Sequence, residues 1–395
     1  MRLFNPNVSN LIEPPIPLAL SWSKNYDEGL GPLIDLSLAV PSYSPHKDLM
    51  NNFIKSASDE KLLAYGEIEG ERILRENYSQ HLNDKYSSQI KWDQTLITSG
   101  CNQAFIASIL SIAGSGDEIL IPNPGYFSHE LTLKMLGIKS SYFNLDPLKN
   151  FNFSIKDIEK IINSKTKAIC LVSPNNPTGT IFNSNLLNEL LSLCQKHGLF
   201  FILDETYRDF IYPKPDAPHF LFNITDWGST LIQLYSFSKS FCIPGHRLGA
   251  ITADTKILKQ ISKVMDNIQI CAPRAAQIAV AKFLPDLESF LTKKSLEIGE
   301  KGKLFEQTLK NNSNWEVKSR GAFFAYVKHP FKNCIDIKVA EILASSFGII
   351  TVPGSFFGKD QESFLRMSFA GISKSEILQI PDRLKKLERE KSFDL

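Results

Sequence analysis

The chain predicts an α/β protein built on a largely parallel, doubly wound sheet. Short apolar runs alternate with helix-period segments from residue 95 to 252, the pattern of repeated strand–helix–strand crossovers. Ala168-Ile169-Cys170-Leu171-Val172 and Leu199-Phe200-Phe201-Ile202-Leu203 are nearly unbroken apolar stretches, as strands covered on both faces require. The length of 395 residues exceeds what one core usually fills, so two packed subdomains are expected.

Taken in order, residues 1–44 are punctuated by Pro and Gly and read as irregular, with a strand and turn from Leu33 to Pro41. A helix is expected from Lys47 to Ser56, then a loop through Tyr65 and Gly70, then a helix from Glu71 to Leu82. Leu96-Ile97-Thr98-Ser99-Gly100 reads as a strand entering a turn before the helix Asn102 to Ile112. The first N–H groups of such a helix form an anion site. Gly114-Ser115-Gly116 precedes strand Glu118-Ile119-Leu120-Ile121 instead of following one, so it is a turn and not a dinucleotide loop.

Pro124-Gly125-Tyr126 ends that strand, and a helix near Ile155 to Ile162 leads to the strand ending at Val172. The turn Asn175-Asn176-Pro177-Thr178-Gly179 follows. Asn183-Ser184 cap a helix that runs to Lys196 and closes at Gly198. Asp204 comes after five apolar residues; such a carboxylate must be paired, or else serve as a helix N-cap. Strand Thr230 to Tyr235 delivers Lys239 at its end, among small hydroxyl residues and aromatics. A lone lysine is usually a surface cation, but burial here would disfavour the ammonium and free the amine for Schiff-base chemistry. Arg247 follows eight residues later, before strand Leu248 to Thr252. Further on, the sequence predicts a helix over Pro273 to Leu284 and one strand over Ser319 to Val327. Strand, loop and strand are expected over Ile349 to Ala370, and a solvated helix face over Arg383 to Lys391.

Composition narrows the function. Forty-four basic against 42 acidic residues leave a formal charge of +2, which makes no case for nucleic acid. No apolar run approaches the roughly 18 residues of a membrane span, and no cationic start precedes a long apolar segment. The six cysteines form no C-x-x-C pair; they read as reduced thiols of a cytoplasmic protein, with no metal role.

Six short motifs then occur in a telling order. They are Thr98-Ser99-Gly100-Cys101-Asn102, Pro122-Asn123-Pro124-Gly125-Tyr126, Ser173 to Gly179, Asp204-Glu205-Thr206-Tyr207, Ser236-Phe237-Ser238-Lys239, and Phe364-Leu365-Arg366-Met367-Ser368. Together they resemble the class I/II aminotransferases, pyridoxal-phosphate enzymes of the aspartate aminotransferase fold, from about Leu33 to the C-terminal region. The resemblance implies a large cofactor-binding domain over residues 45–280 and a smaller α+β domain from residues 1–44 and 281–395. It implies pyridoxal 5'-phosphate as a Schiff base on Lys239. The phosphate would be held by the backbone of Gly100, Cys101 and Asn102 and by Ser236, Ser238 and Arg247. Tyr126 would lie on the ring face, Asn176 and Tyr207 at the ring oxygen, and Asp204 at the protonated ring nitrogen.

By the same resemblance, Arg366 would clamp the substrate α-carboxylate, with Asn176 and Ala39 beside it; many members have Gly where Ala39 stands. Tyr65 would reach the phosphate of a neighbouring subunit, so a homodimer with shared active sites is expected. Read from the residues alone, Tyr65 is a loop aromatic packed beneath a helix, Tyr126 a core tyrosine and Arg366 an interdomain salt bridge. The implied activity moves an amino group from an L-amino acid to a 2-keto acid. A β-lyase, decarboxylase or oxidase on the same scaffold is the alternative, and the retained Lys239 argues against a non-catalytic sensor. Dicarboxylate-specific members often add an arginine between the lysine and the interdomain helix. Met265 to Ile270 contains none, although Arg274 is near, and Phe323-Phe324 suggest an apolar pocket or a core.

Overall fold

The structure, a computed structural model, describes residues 4–332 and 334–390. After a two-residue strand β1 (Ile34–Asp35), seven strands build one sheet: β2 (Thr95–Thr98), β3 (Glu118–Asn123), β4 (Lys139–Asn144), β5 (Thr166–Val172), β6 (Phe200–Asp204), β7 (Leu231–Ser236) and β8 (Gly249–Thr252). Their spatial order is β2-β8-β7-β6-β5-β3-β4. β8 runs against both neighbours, and every other pairing is parallel.

Alternation along the strands explains the unbroken apolar runs. Ile169, Leu171, Phe201 and Leu203 enter one core cluster, while Ala168, Cys170, Ile202 and Leu234 enter another on the opposite face. Helix ends follow the sequence signals. Asn183 accepts the Leu186 N–H at 2.8 Å at the start of helix Ser184–His197, and Gly198 closes that helix at φ +65°.

A second group of strands follows: β9 (Glu316–Gly321), β10 (Phe324–Lys328), β11 (Ile349–Ile350), β12 (Val352–Pro353) and β13 (Phe364–Ser368). β12-β13-β10-β9 form an antiparallel sheet, and β11 pairs in parallel with β1. The amino-terminal segment is thereby stitched to the carboxyl-terminal part, and the Ser368 N–H donates to the Leu36 carbonyl at 2.8 Å.

Several local expectations change. Ser319 to Val327 is a hairpin and not one strand. The chain turns at Ala322 (φ +47°), and Gly321 lies so close to Gly179 that a Cβ would collide with its carbonyl oxygen. An apolar run fits two short strands as well as one. The helix expected over Pro273 to Leu284 is present as Arg274–Phe283, and a separate one spans Leu287–Asn312, because Pro285 can neither donate nor accommodate the preceding turn. The amino-terminal stretch is less irregular than expected: prolines open helices Pro6–Ser9 and Pro15–Ser21.

The expected solvated face at Arg383 is also overturned. Arg383 is buried and donates to the carbonyls of Phe347 (3.2 Å), Gly348 (3.0 Å) and Pro32 (2.8 Å), while Lys391 lies outside the described residues. Cys170, Cys194 and Cys334 are buried, but Cys101, Cys242 and Cys271 are only half-buried; no disulfide links cysteines among the described residues.

Candidate active site

Because β5, β6 and β7 are parallel neighbours, their carboxyl ends emerge along one edge, where open α/β sheets place ligands. The loop after β5 carries Asn176, β6 ends at Asp204, and β7 ends at Ser236. Lys239 is not itself a strand-end residue. It sits in a single helical turn, Phe237–Ser240, whose first N–H groups are capped when the Ser236 hydroxyl accepts from Ser238 N–H at 3.3 Å. A cleft of about 230 Å³ opens there. Its lining includes Cys101, Asn102, Tyr126, Asn176, Asp204, Tyr207, Ser236, Ser238, Lys239, Arg247, Arg366 and Ala39.

The lysine turn is clamped from behind, by residues that the sequence reading passed over. Tyr43 donates to the carbonyls of Lys239 (3.2 Å) and Ser240 (2.9 Å). The hydroxyls of Tyr235 and Ser240 each donate to Asp209 at 2.6 Å, and Lys85 lies 2.9 Å from the same carboxylate. Asp209 and Lys85 also line a second hollow of about 460 Å³. Lys239 itself is half-buried. Burial, then the Arg247 and Arg366 cations, pulls its amine down to about 8.

One end of the cleft is built for an anion. Gly100 adopts φ +86° ahead of helix Cys101–Ile112, and a Cβ on it would strike the Arg247 guanidinium. Arg247 is held at φ +50° and donates to the Pro244 carbonyl at 3.1 Å, and the buried Ser238 hydroxyl has no partner.

Asp204 answers at another wall. Burial pushes its carboxyl up, but the His129 ring 3.4 Å away and hydrogen bonds from Thr206 hold it below the ordinary carboxylate range. It accepts the Thr206 N–H at 2.9 Å in a turn that does not continue as an α-helix, so it is not a helix N-cap. His129 was missed by the sequence reading; its only signal is its place three residues beyond Tyr126. It lies between the Phe105 ring (4.0 Å, stacked) and the Tyr126 ring (5.2 Å, edge-on). Glu205 turns the other way, accepting from Tyr86 (2.7 Å) and Gln233 (3.1 Å).

Arg366 comes from β13 and is 1% exposed. It donates to Asn176 Oδ1 at 3.1 Å and to the Ser37 carbonyl, while its Nε–H is unpartnered. No carboxylate pairs with it among the described residues, which removes the salt-bridge reading. Burial pulls it down to about 10, still a cation at neutral pH. Asn176 in turn donates to Tyr207 at 3.4 Å.

Tyr65 alone stays outside. It is 78% exposed, which overturns its reading as an aromatic packed beneath a helix. Its loop is braced by Arg274, which bonds Glu71 and the carbonyls of Lys61 (2.8 Å) and Ala64 (3.1 Å). Phe323 and Phe324 belong to the core, packed edge-on against Tyr207.

Comparison with known proteins gives the family and the fold. Residues 32–384 match the family model described as aminotransferase class I and II. The chain is 28% identical over 371 residues to an aspartate aminotransferase of Pyrococcus abyssi, covering 92% of this chain and 94% of that protein. It is 25% identical over 360 residues to an aromatic aminotransferase of Arabidopsis thaliana, with 89% of each covered. In fold, a solved Pyrococcus protein superimposes with a TM-score of 0.90 at 24% identity, covering 97% of this chain and 98% of its own. The aspartate aminotransferase of Thermotoga maritima does so with a TM-score of 0.88 at 24% identity, covering 98% and 100%.

The lowered amine of Lys239 has a stability consequence. Its unfolded value is 10.5 and its folded value about 8, so the unfolded chain binds more protons between those limits. Stability therefore rises with pH across that window, and below pH 8 the lysine costs up to about 3 kcal/mol. In cofactor-free protein, Lys239→Met should be more stable than the parent at pH 7. Urea unfolding across the pH range should show that gain vanishing above pH 10.5; an equal stability difference at every pH would contradict it.

Proposed function

The chain belongs to the class I and II aminotransferases, and from that premise we propose which of its residues carry the reaction. It is a pyridoxal-phosphate enzyme that transfers an amino group between an amino acid and a 2-keto acid. The observation that carries the residue assignment is a half-buried lysine lowered to about 8, in a cleft it shares with a carboxylate held ionised and two arginines.

The donor set fits the cofactor. An anion cradle with an unpartnered Ser238 hydroxyl lies at Gly100 and Arg247, and an ionised Asp204 lines the same cleft. When bound, pyridoxal phosphate supplies an electron-withdrawing ring that acidifies the substrate Cα–H. The N–H groups of Gly100, Cys101 and Asn102, with Ser236, Ser238 and Arg247, would hold its phosphate. Tyr126 would cover a ring face, Asn176 and Tyr207 would bond the ring oxygen, and Asp204 would keep the ring nitrogen protonated. Lys239 would anchor the cofactor covalently and, with its amine free, would accept the proton from the substrate Cα. Arg366, with a free Nε–H and a planar fork, would orient the substrate α-carboxylate, and Ala39 would border the substrate.

Tyr65 supports a homodimer with shared sites. It stands exposed on a braced loop, as a residue meant for a neighbouring cleft would. Cysteines held in no disulfide among the described residues support a cytoplasmic setting, which cell fractionation would check.

Borohydride treatment of the native enzyme should fix the cofactor on the peptide containing Lys239, and a label on another lysine would refute that role. A single amino acid without acceptor should convert the cofactor stoichiometrically to pyridoxamine phosphate, and a 2-keto acid should reverse it. Continuous release of ammonia or uptake of oxygen would instead mark a lyase or oxidase.

Arg366→Lys should keep cofactor content near normal and lower kcat/KM by about 1.5–3 kcal/mol, since an ammonium cannot make two parallel hydrogen bonds. Unchanged kinetics with reduced thermal stability would show a structural role only.

Mixed dimers test Tyr65. Pairing a Tyr65→Phe chain with a Lys239→Ala chain should leave one site with both lesions and the other intact. Equal impairment of both sites would argue against sharing.

A further inference from the structure

The cleft holds more residues than the cofactor and the α-carboxylate require. With Lys239, Asp204, Arg366, the anion cradle and the aromatic and amide side chains assigned, with Thr206 bonded to Asp204 and with the Ser37 hydroxyl donating to Asp35 at 2.6 Å, what remains on the wall is Ile16, Leu38, Ala39, Val40 and Phe127. All five are apolar. They come from three separate places: helix Pro15–Ser21, the segment after β1, and the start of helix Phe127–Met135. The wall is built from behind as well. Ile16 and Phe127 pack in one cluster with Val352, Phe356 and Phe357, and Phe357 also lies 5.3 Å from the Arg366 guanidinium.

The cations are equally informative. The cleft lining has Lys239, Arg247 and Arg366 and no fourth positive residue. Arg247 belongs to the Gly100 end, and Arg366 is claimed by the α-carboxylate. Arg274, the cation that follows the uncharged stretch Ile268 to Pro273, already bonds Glu71 and two carbonyls of its own chain. A second substrate carboxylate would therefore enter an apolar wall with no counter-charge from the described residues of this chain, a desolvation that nothing there offsets.

We propose that the amino acid accepted by this site carries an apolar side chain, aliphatic or aromatic, seated against Ile16, Leu38, Ala39, Val40 and Phe127, and that dicarboxylic amino acids are disfavoured. This rests on the reading of the cleft as an aminotransferase site. Leu38, 44% exposed at the mouth, is the position where a new cation would reverse the preference with least disturbance of packing.

Two measurements on the holoenzyme decide it. In the half-reaction, phenylalanine, leucine and methionine should exceed aspartate and glutamate in kcat/KM by about 100-fold. By calorimetry, unreactive 3-phenylpropionate should bind at least about tenfold tighter than succinate. Leu38→Arg should raise the aspartate-to-phenylalanine ratio about tenfold or more, and the parent comparison stands even where that variant does not fold. Preference for aspartate together with tighter succinate overturns the proposal while leaving transamination intact. If no amino acid is converted, the reaction assignment fails, and the calorimetric ratio alone then decides whether the wall selects apolar ligands.

Discussion

A guanidinium buried without a carboxylate is the constraint on which this site depends. Arg366 is held by two uncharged acceptors, Asn176 Oδ1 and the Ser37 carbonyl, which lie 190 and 329 residues away in the chain. Those two bonds join the antiparallel sheet, the loop after β5 and the amino-terminal segment at one point. They also leave the charge uncompensated, with one N–H unpartnered. A buried cation of this kind is expensive in an empty protein and favourable once an anion arrives. The fold keeps it because β13 is fixed on both sides, by β10 and by β12, and cannot rotate the side chain to water.

The other charges are tuned by the same burial, in opposite directions. Lys239 loses affinity for its proton because it is half-buried and shares the cleft with two arginines. Asp204, deeper still, would also be driven neutral, but His129 and Thr206 reverse the outcome. One cleft thus holds an amine whose proton affinity is lowered to about 8 and an ionised carboxylate, the division of labour that acid–base chemistry needs at ordinary pH. Neither group is positioned by its own strand alone. Tyr43 fixes the carbonyls of the lysine turn, and Asp209 fixes the Ser240 hydroxyl, so the amine is presented from a braced loop.

What could be read in advance divides along a physical line. Asp204 stood out because a carboxylate after five apolar residues is costly to bury unpaired, and Lys239 because it follows a strand among small hydroxyl residues and aromatics; Asn176 and Arg366 were singled out by the family resemblance alone. His129, Tyr43 and Asp209 were not, because a lone His or Tyr on a helix or loop has the same local pattern whether it faces a site or a core. The hairpin at Ala322 was hidden inside a continuous apolar run, which records burial and not direction. Arg383 was misread because a mixed charge pattern looks solvated until three backbone carbonyls are brought to it.

The largely parallel α/β architecture, the alternation of its strands and helices, and the residue types that end its strands were all set by the chain's own residue pattern. That pattern sets them because burial on two faces forces continuous apolar strands, and because turns and caps demand particular residues. Only the tertiary structure decided which of those strand-end residues share one cleft, which direction burial drives each charge, and which apolar side chains form the remaining wall. Ile16, Ala39, Phe127 and Arg366 are far apart in the chain and carry no common local signal. Their meeting depends on the parallel pairing of β1 with β11 and on the packing of helix Pro15–Ser21 near β12, contacts between distant segments that no local pattern encodes.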